Sequence, residues 1–202
     1  MVASMRRTVI TFASMCIGLA LGGMPVFAQD PSGEPSSSDV DRTAGQVVRI
    51  VSVETLDDRT RDLTIESPSV GTVQVRQLLP EGFEDASEAT YPVLYLLHGG
   101  GGGYTDWTKE TDVEGITASS GLLVAMPAAA STNLGTWLPE GGPDGQGGPP
   151  NWEAFHLVEL PQLLERNWRA GEDRVVVGLS LGGYGAMMYA ARHPGLFEAV
   201  AS

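Results

Sequence analysis

The stretch 173–192, DRVVVGLSLGGYGAMMYAAR, constrains this chain more than any other. Its first part, Asp173 to Leu179, is a short β-branched run suited to a strand buried in a parallel sheet. Its second part, Ser180 to Arg192, is small and apolar until His193-Pro194-Gly195 stops it, which reads as a helix. Between them lies Gly178-Leu179-Ser180-Leu181-Gly182, a G-x-S-x-G pattern. Where a strand passes into a helix through so tight a turn, side chains at the flanking positions would collide, hence glycine at 178 and 182. The serine is then held at the carboxyl end of a strand, over the start of a helix. In a chain with 26 glycines the pattern alone is weak, and the strand–turn–helix context makes it specific. The plainer alternative is a glycine-rich loop with an incidental serine.

The rest of the chain supplies a sheet around that turn. Gln46 to Thr55 and Val70 to Leu79 alternate as antiparallel edge strands do. Pro92 to Leu97 and Gly121 to Met126 are continuous apolar runs, expected as buried central strands. Another strand begins near Glu198. Helices are expected over roughly Asp112 to Ser119, Trp152 to Trp168 and the residues after Ser180. Pro161 either kinks the second of these or starts a new helix. From residue 92 onward the alternation is βαβα, which predicts an α/β fold with a largely parallel sheet and flanking helices. Ligands gather at the carboxyl ends of such strands. Three loops lie there: His98 to Gly103, Pro127 to Asn151, and the serine turn.

The first 28 residues read as a secretory leader. Arg6 and Arg7 precede an apolar stretch, Val9 to Leu21, too short for a comfortable membrane span. Val26-Phe27-Ala28 offers a cleavage site after Ala28. Residues 29–45 are Ser, Pro, Gly and Asp with little to bury, expected as a disordered linker before a domain over 46–202. The only cysteine, Cys16, lies in the leader, so the exported chain has neither disulfides nor a thiol site. The net charge of −13 becomes −15 once the two leader arginines are removed. Such a surface disfavours nucleic acid and anionic lipid as partners. Localisation is expected to be extracellular or in the cell envelope, with no stable membrane span after cleavage.

Acyl transfer needs a nucleophile, a base, and donors for the tetrahedral oxyanion. Ser180 is the candidate nucleophile, and the backbone N–H of Leu181 a candidate donor. The second donor is expected from the loop after the central strand, with Gly100 the choice. No Gly-Lys-Ser/Thr follows these glycines, so a phosphate cradle is excluded. The base is missing. His193 stands 13 residues past Ser180 on the same helix, about 20 Å away, and is expected as a cation at the helix end. His156, three residues before Glu159, is expected on a solvated helix face. His98 opens the glycine loop, where a structural role suits it better than that of base. His98, Trp107 and Trp137 are expected around a substrate pocket, with Tyr104 near them. Trp152 reads better as an anchor at a helix start. No cofactor or metal is called for.

These segments resemble the "putative esterase" family of α/β-hydrolases, which includes S-formylglutathione hydrolases, feruloyl and acetyl-xylan esterases and mycolyltransferases. The resemblance rests on YPVLYLLHGGGGGYTDW (91–107), LLVAMP (122–127), WEAFHLVELPQLLE (152–165) and VVVGLSLGGYGAMMYAARHPGLFEAVAS (175–202). It implies the α/β-hydrolase fold and a Ser-Asp/Glu-His mechanism, with oxyanion donors matching Gly100 and Leu181. His98-Gly99-Gly100-Gly101 departs from the Asp-Gly-Leu-Arg run of the mycolyltransferases, so a generic ester suits this chain better than a mycolate on trehalose. The family's acid and histidine lie after later strands, and no positions here match them. The chain is therefore expected to be the N-terminal part of the fold. It would be an incomplete and inactive piece of a secreted serine esterase, with an exposed apolar edge at its last strand. The partner implied is a small ester or acylated-sugar substrate. The alternatives are an acyltransferase acting on a sugar hydroxyl and a non-catalytic binding or cell-wall protein on the same scaffold.

Overall fold

A computed structural model describes residues 47–83, 88, 90–129 and 151–202. The leader, the linker and Trp137 lie outside the described residues. Seven strands form a single mixed sheet: β1 (Arg49–Thr55), β2 (Thr60–Ser67), β3 (Gly71–Leu78), β4 (Tyr91–Leu97), β5 (Leu123–Pro127), β6 (Ala170–Gly178) and β7 (Ala199–Ala201). Their spatial order is β1-β2-β3-β5-β4-β6-β7. β1, β2 and β3 are antiparallel, and β3 also meets β5 antiparallel. β5, β4, β6 and β7 run parallel to one another. The parallel part is thus the βαβα half of the sequence.

Two expectations about the antiparallel part need correction. Thr60–Ser67 is a strand, although three of its eight residues, Arg61, Asp62 and Glu66, are charged. Its signal is the alternation of buried Leu63 and Ile65 with polar neighbours. With that strand in place, β3 is interior and not an edge. β1 is the outer strand on this side. A register shift between Ile50 and Ser52 and an Arg49–Glu66 ion pair break up its edge.

The helices are α1 (Asp106–Glu110), α2 (Val113–Thr117), α3 (Trp152–Ala154), α4 (Leu160–Trp168) and α5 (Leu181–Arg192). A π-helical turn, Phe155–Glu159, joins α3 to α4, and the Leu160 N–H bonds the Phe155 carbonyl five residues back. Pro161, which has no N–H to give, therefore falls in the first turn of α4 and the helix continues without a break.

Alternation along β4 divides the core. Val93, Tyr95 and Leu97 face Trp152, Phe155, Leu160, Leu164, Ala186 and Tyr189 from α3, α4 and α5. Leu96 faces the other way, with Leu78, Val113, Val124 and Met126, and Trp107 packs against them. β5 is buried along its whole length, as its unbroken apolar run predicts. α5 reaches the sheet through buried Gly182, Gly183, Gly185 and Ala186, whose small size lets backbone approach backbone.

β7 is the last strand in the order, and all three of its residues are exposed. Val200 on it, and Tyr184 and Met187 on α5, are exposed apolar side chains. The 202-residue chain is expected to self-associate in sedimentation velocity, and Val200→Lys to weaken that association by charging the edge. A wild-type monomer melting in one cooperative transition would contradict this.

Candidate functional site

The turn between β6 and α5 is shaped by backbone collisions that glycine alone avoids. A Cβ on Gly178 would strike the Gly182 carbonyl group, and one on Gly182 would strike the carbonyl oxygen of Leu97. The Leu179 N–H donates to the Leu97 carbonyl at 3.1 Å, and the Gly182 N–H to the Leu179 carbonyl at 2.9 Å. The exit of β6, the start of α5 and the exit of β4 are therefore pressed into one block. Ser180 is held in it at φ 54°, ψ −116°, a conformation that a non-glycine residue adopts at a cost of about 1–3 kcal/mol. Its side chain is exposed. Leu181 follows as the first helical residue, so its N–H is one of those no intrahelical carbonyl reaches.

The loop after β4 lies against this turn. An added Cβ on Gly99 would stand 3.7 Å from the Ser180 Cβ, and one on Gly100 would stand 2.6 Å from the Leu181 side chain. The two residues expected to supply oxyanion donors are thus neighbours in space. The loop has fixed geometry. The Gly102 N–H donates to the Gly99 carbonyl at 3.2 Å, closing a turn with Gly101 at φ 75°. Such a turn uses the N–H of its fourth residue and leaves those of Gly100 and Gly101 out of its own bonding. The Gly103 N–H donates to Asp106 Oδ2 at 2.9 Å. Asp106 was not legible as part of the site. Its signal is an acid three residues after the last glycine, at the first position of a helix.

Of the three histidines, His98 opens this loop. His98 is 2% exposed, and its Nδ1 bonds the Gly99 carbonyl at 2.7 Å. It braces the loop from inside, which corrects its expected place in a pocket lining. His156 is also buried, which corrects the expected solvated face. Its Nε2 bonds the Ala128 carbonyl and its Nδ1 the Tyr189 hydroxyl, each at 3.0 Å, and its ring stacks on Trp152. Spacing from Glu159 hid this, because the π turn rotates the two apart. Glu159 accepts hydrogen bonds from Ser67 and Ser69 at the β2–β3 turn. His193 caps the far end of α5, as expected, and pairs with buried Glu153, which also accepts from Arg192 at 3.1 Å. None of these bonds is to Ser180.

The aromatic residues divide. Trp107 packs on the core beside Val113 and Leu96 and so folds onto the domain. Trp152 opens α3 as a buried anchor. Tyr104 is half-buried, 5.9 Å from the Arg76 guanidinium. Among the described residues no cluster of His, Cys, Asp and Glu is grouped to hold a metal ion.

Known proteins are similar to this chain in sequence and in fold. The family model described as "Putative esterase" matches residues 69–202. The esterase Rv1288 of Mycobacterium tuberculosis is 33% identical over 176 residues, covering 81% of this chain and 36% of the relative. The MPT51/MPB51 antigen of Mycobacterium bovis is 30% identical over 138 residues, covering 67% of this chain and 42% of the relative. The chain thus spans well under half the length of these curated relatives. Among solved structures, an S-formylglutathione hydrolase from Agrobacterium tumefaciens superposes with a TM-score of 0.61 at 18% identity, covering 76% of this chain and 61% of the other. A ferulic acid esterase does so with a TM-score of 0.55 at 29% identity, covering 76% of this chain and 56% of the other.

The packing of the turn and of His156 can each be tested. Gly182→Ala is expected to destabilise by about 2 kcal/mol or more, since the obstruction is backbone, whereas Gly103→Ala, with open space around it, stays within about 0.5 kcal/mol in urea melts. Equal effects would contradict the account. Burial pushes His156 down to about 3 from 6.5, opposed by its bond to Ala128 and helped by His98. Between those values the unfolded chain binds a proton that the folded chain refuses, so stability falls as pH drops through that window. The stability difference between wild type and His156→Gln should therefore shrink by roughly 1 kcal/mol per pH unit from pH 6 to pH 4. A constant difference would refute it.

Proposed function

Because the chain belongs to the "Putative esterase" family of α/β-hydrolases, we propose that it carries the acyl-accepting half of a secreted serine carboxylic-ester hydrolase. The observation that carries this reading is Ser180, exposed and strained on its turn, with Gly100 packed against Leu181 beside it. In the proposed reaction Ser180 Oγ attacks the ester carbonyl carbon and gives its proton to a base. The N–H groups of Gly100 and Leu181 receive the oxyanion. The C–O bond to the alcohol breaks and the alcohol leaves with the proton. Water then attacks the acyl-enzyme, releasing the carboxylic acid and restoring the serine hydroxyl.

In this proposal the base comes from beyond these residues. All three of its histidines are described, and the bonds given above go to Gly99, to Ala128 and Tyr189, and to Glu153. A histidine and its acid from outside residues 1–202 would complete the site. The leader-like residues 1–28 support export. Among the described residues no helix is long and apolar enough to cross a membrane. Transfer to a sugar hydroxyl instead of water is the same chemistry with another acceptor, and product analysis with and without a sugar acceptor separates the two.

With p-nitrophenyl acetate, Ser180→Ala in the full-length gene product is expected to lower kcat/KM by about 10³-fold or more. Residues 1–202 expressed alone should hydrolyse at the uncatalysed rate. Turnover that survives Ser180→Ala would overturn the proposal. Serine-dependent turnover by residues 1–202 alone would instead make His98 or a second copy the base.

A further inference from the structure

We infer that Asp106 is a positioning residue for the oxyanion loop, an inference that rests on reading Ser180 as the nucleophile. The loop is five consecutive glycines, 99–103, a sequence that by itself has more backbone freedom to lose than any other. Something must hold it in one conformation if its amides are to stabilise charge without reorganising. Four hydrogen bonds do so. The Gly99 carbonyl takes both the Gly102 N–H and His98 Nδ1, which fixes the near side. The Asp106 carboxylate takes the Gly103 N–H at 2.9 Å, and the Asp106 N–H returns a bond to the Gly103 carbonyl at 3.1 Å, which fixes the far side. The same carboxylate occupies the space a Cβ on Gly102 would need, so it packs on the loop as well as bonding it.

Asp106 is itself tied down from below. It opens α1, and Thr108, two residues on, accepts a bond from Arg76 Nη1 at 2.7 Å. Arg76 on β3 forks onto Asp62 of β2, with both nitrogen–oxygen distances 2.7 Å. A bidentate pair of this kind fixes orientation as well as distance. A path of direct contacts thus runs from the antiparallel strands through Asp62, Arg76, Thr108 and α1 to Asp106 and the loop. Through this path Asp106 is anchored to the antiparallel half of the sheet. Asp106 touches the loop backbone and not the reacting atoms, so it acts through Gly100.

The test compares Asp106→Ala with Asp106→Asn in the full-length gene product, since the asparagine oxygen still accepts the Gly103 N–H. Two quantities are read. Hydrogen exchange of the peptide spanning 98–107 reports loop order. The limiting rate of Ser180 phosphonylation by a fluorophosphonate, separated from its half-saturating concentration, reports oxyanion stabilisation and needs no turnover. Asp106→Ala is expected to speed exchange across 98–107 and to lower the limiting rate by about 10- to 100-fold with little change in half-saturation. Asp106→Asn should restore most of both. Faster exchange with an unchanged limiting rate, or no rescue by Asn, would overturn the inference. Labelling that persists in Ser180→Ala would instead overturn the reading of the nucleophile.

Discussion

The structure depends on a backbone contact: Gly182 at the start of α5 against the carbonyls that end β4. With no side chain between them, helix and strand meet at a distance only glycine permits. The Leu179 N–H closes the contact on the Leu97 carbonyl. Ser180 cannot relax from its positive φ without parting these elements, so the surrounding packing holds the strain. The same contact brings the β4 loop over the serine. Nucleophile and candidate oxyanion donors are therefore two consequences of one close approach.

Around that contact the molecule is organised by burial. The central parallel strands β4 and β5 are apolar on both faces because helices cover both. α5 lies on the face shared with α3 and α4, and α1 and α2 lie on the other. His156 and Tyr189 join the exit of β5 to α5 through buried hydrogen bonds, so the polar groups inside this layer serve to register helix on sheet. The acid–histidine contact at Glu153 and His193 sits at the far end of α5 and reads as a clasp between α3 and α5.

Much of this was legible in the sequence because the signals were local. The β6 turn and α5 announce themselves through glycine spacing and a β-branched run, and β4 and β5 through unbroken apolar residues. What was not legible depended on partners distant in sequence. β2 hid behind Arg61, Asp62 and Glu66, and Asp62 and Glu66 find their partners, Arg76 and Arg49, only once β3 and β1 flank the strand. His156 read as a surface residue because helical spacing assumes 3.6 residues per turn, and the π turn departs from it. Asp106 was not legible as a site residue, since its role is defined by the glycines it touches. The family match at residues 69–202 accords with the anchors that suggested it, and the fold agrees with hydrolases of low sequence identity.

The central claim is that Ser180 takes the acyl group. Its most direct test is acid quenching of the full-length gene product soon after mixing with an aryl ester, followed by peptide mass mapping. The account predicts one acyl group on the peptide that contains Ser180, absent from Ser180→Ala. Hydrolysis without such an adduct, or an acyl group on a different residue, would contradict it.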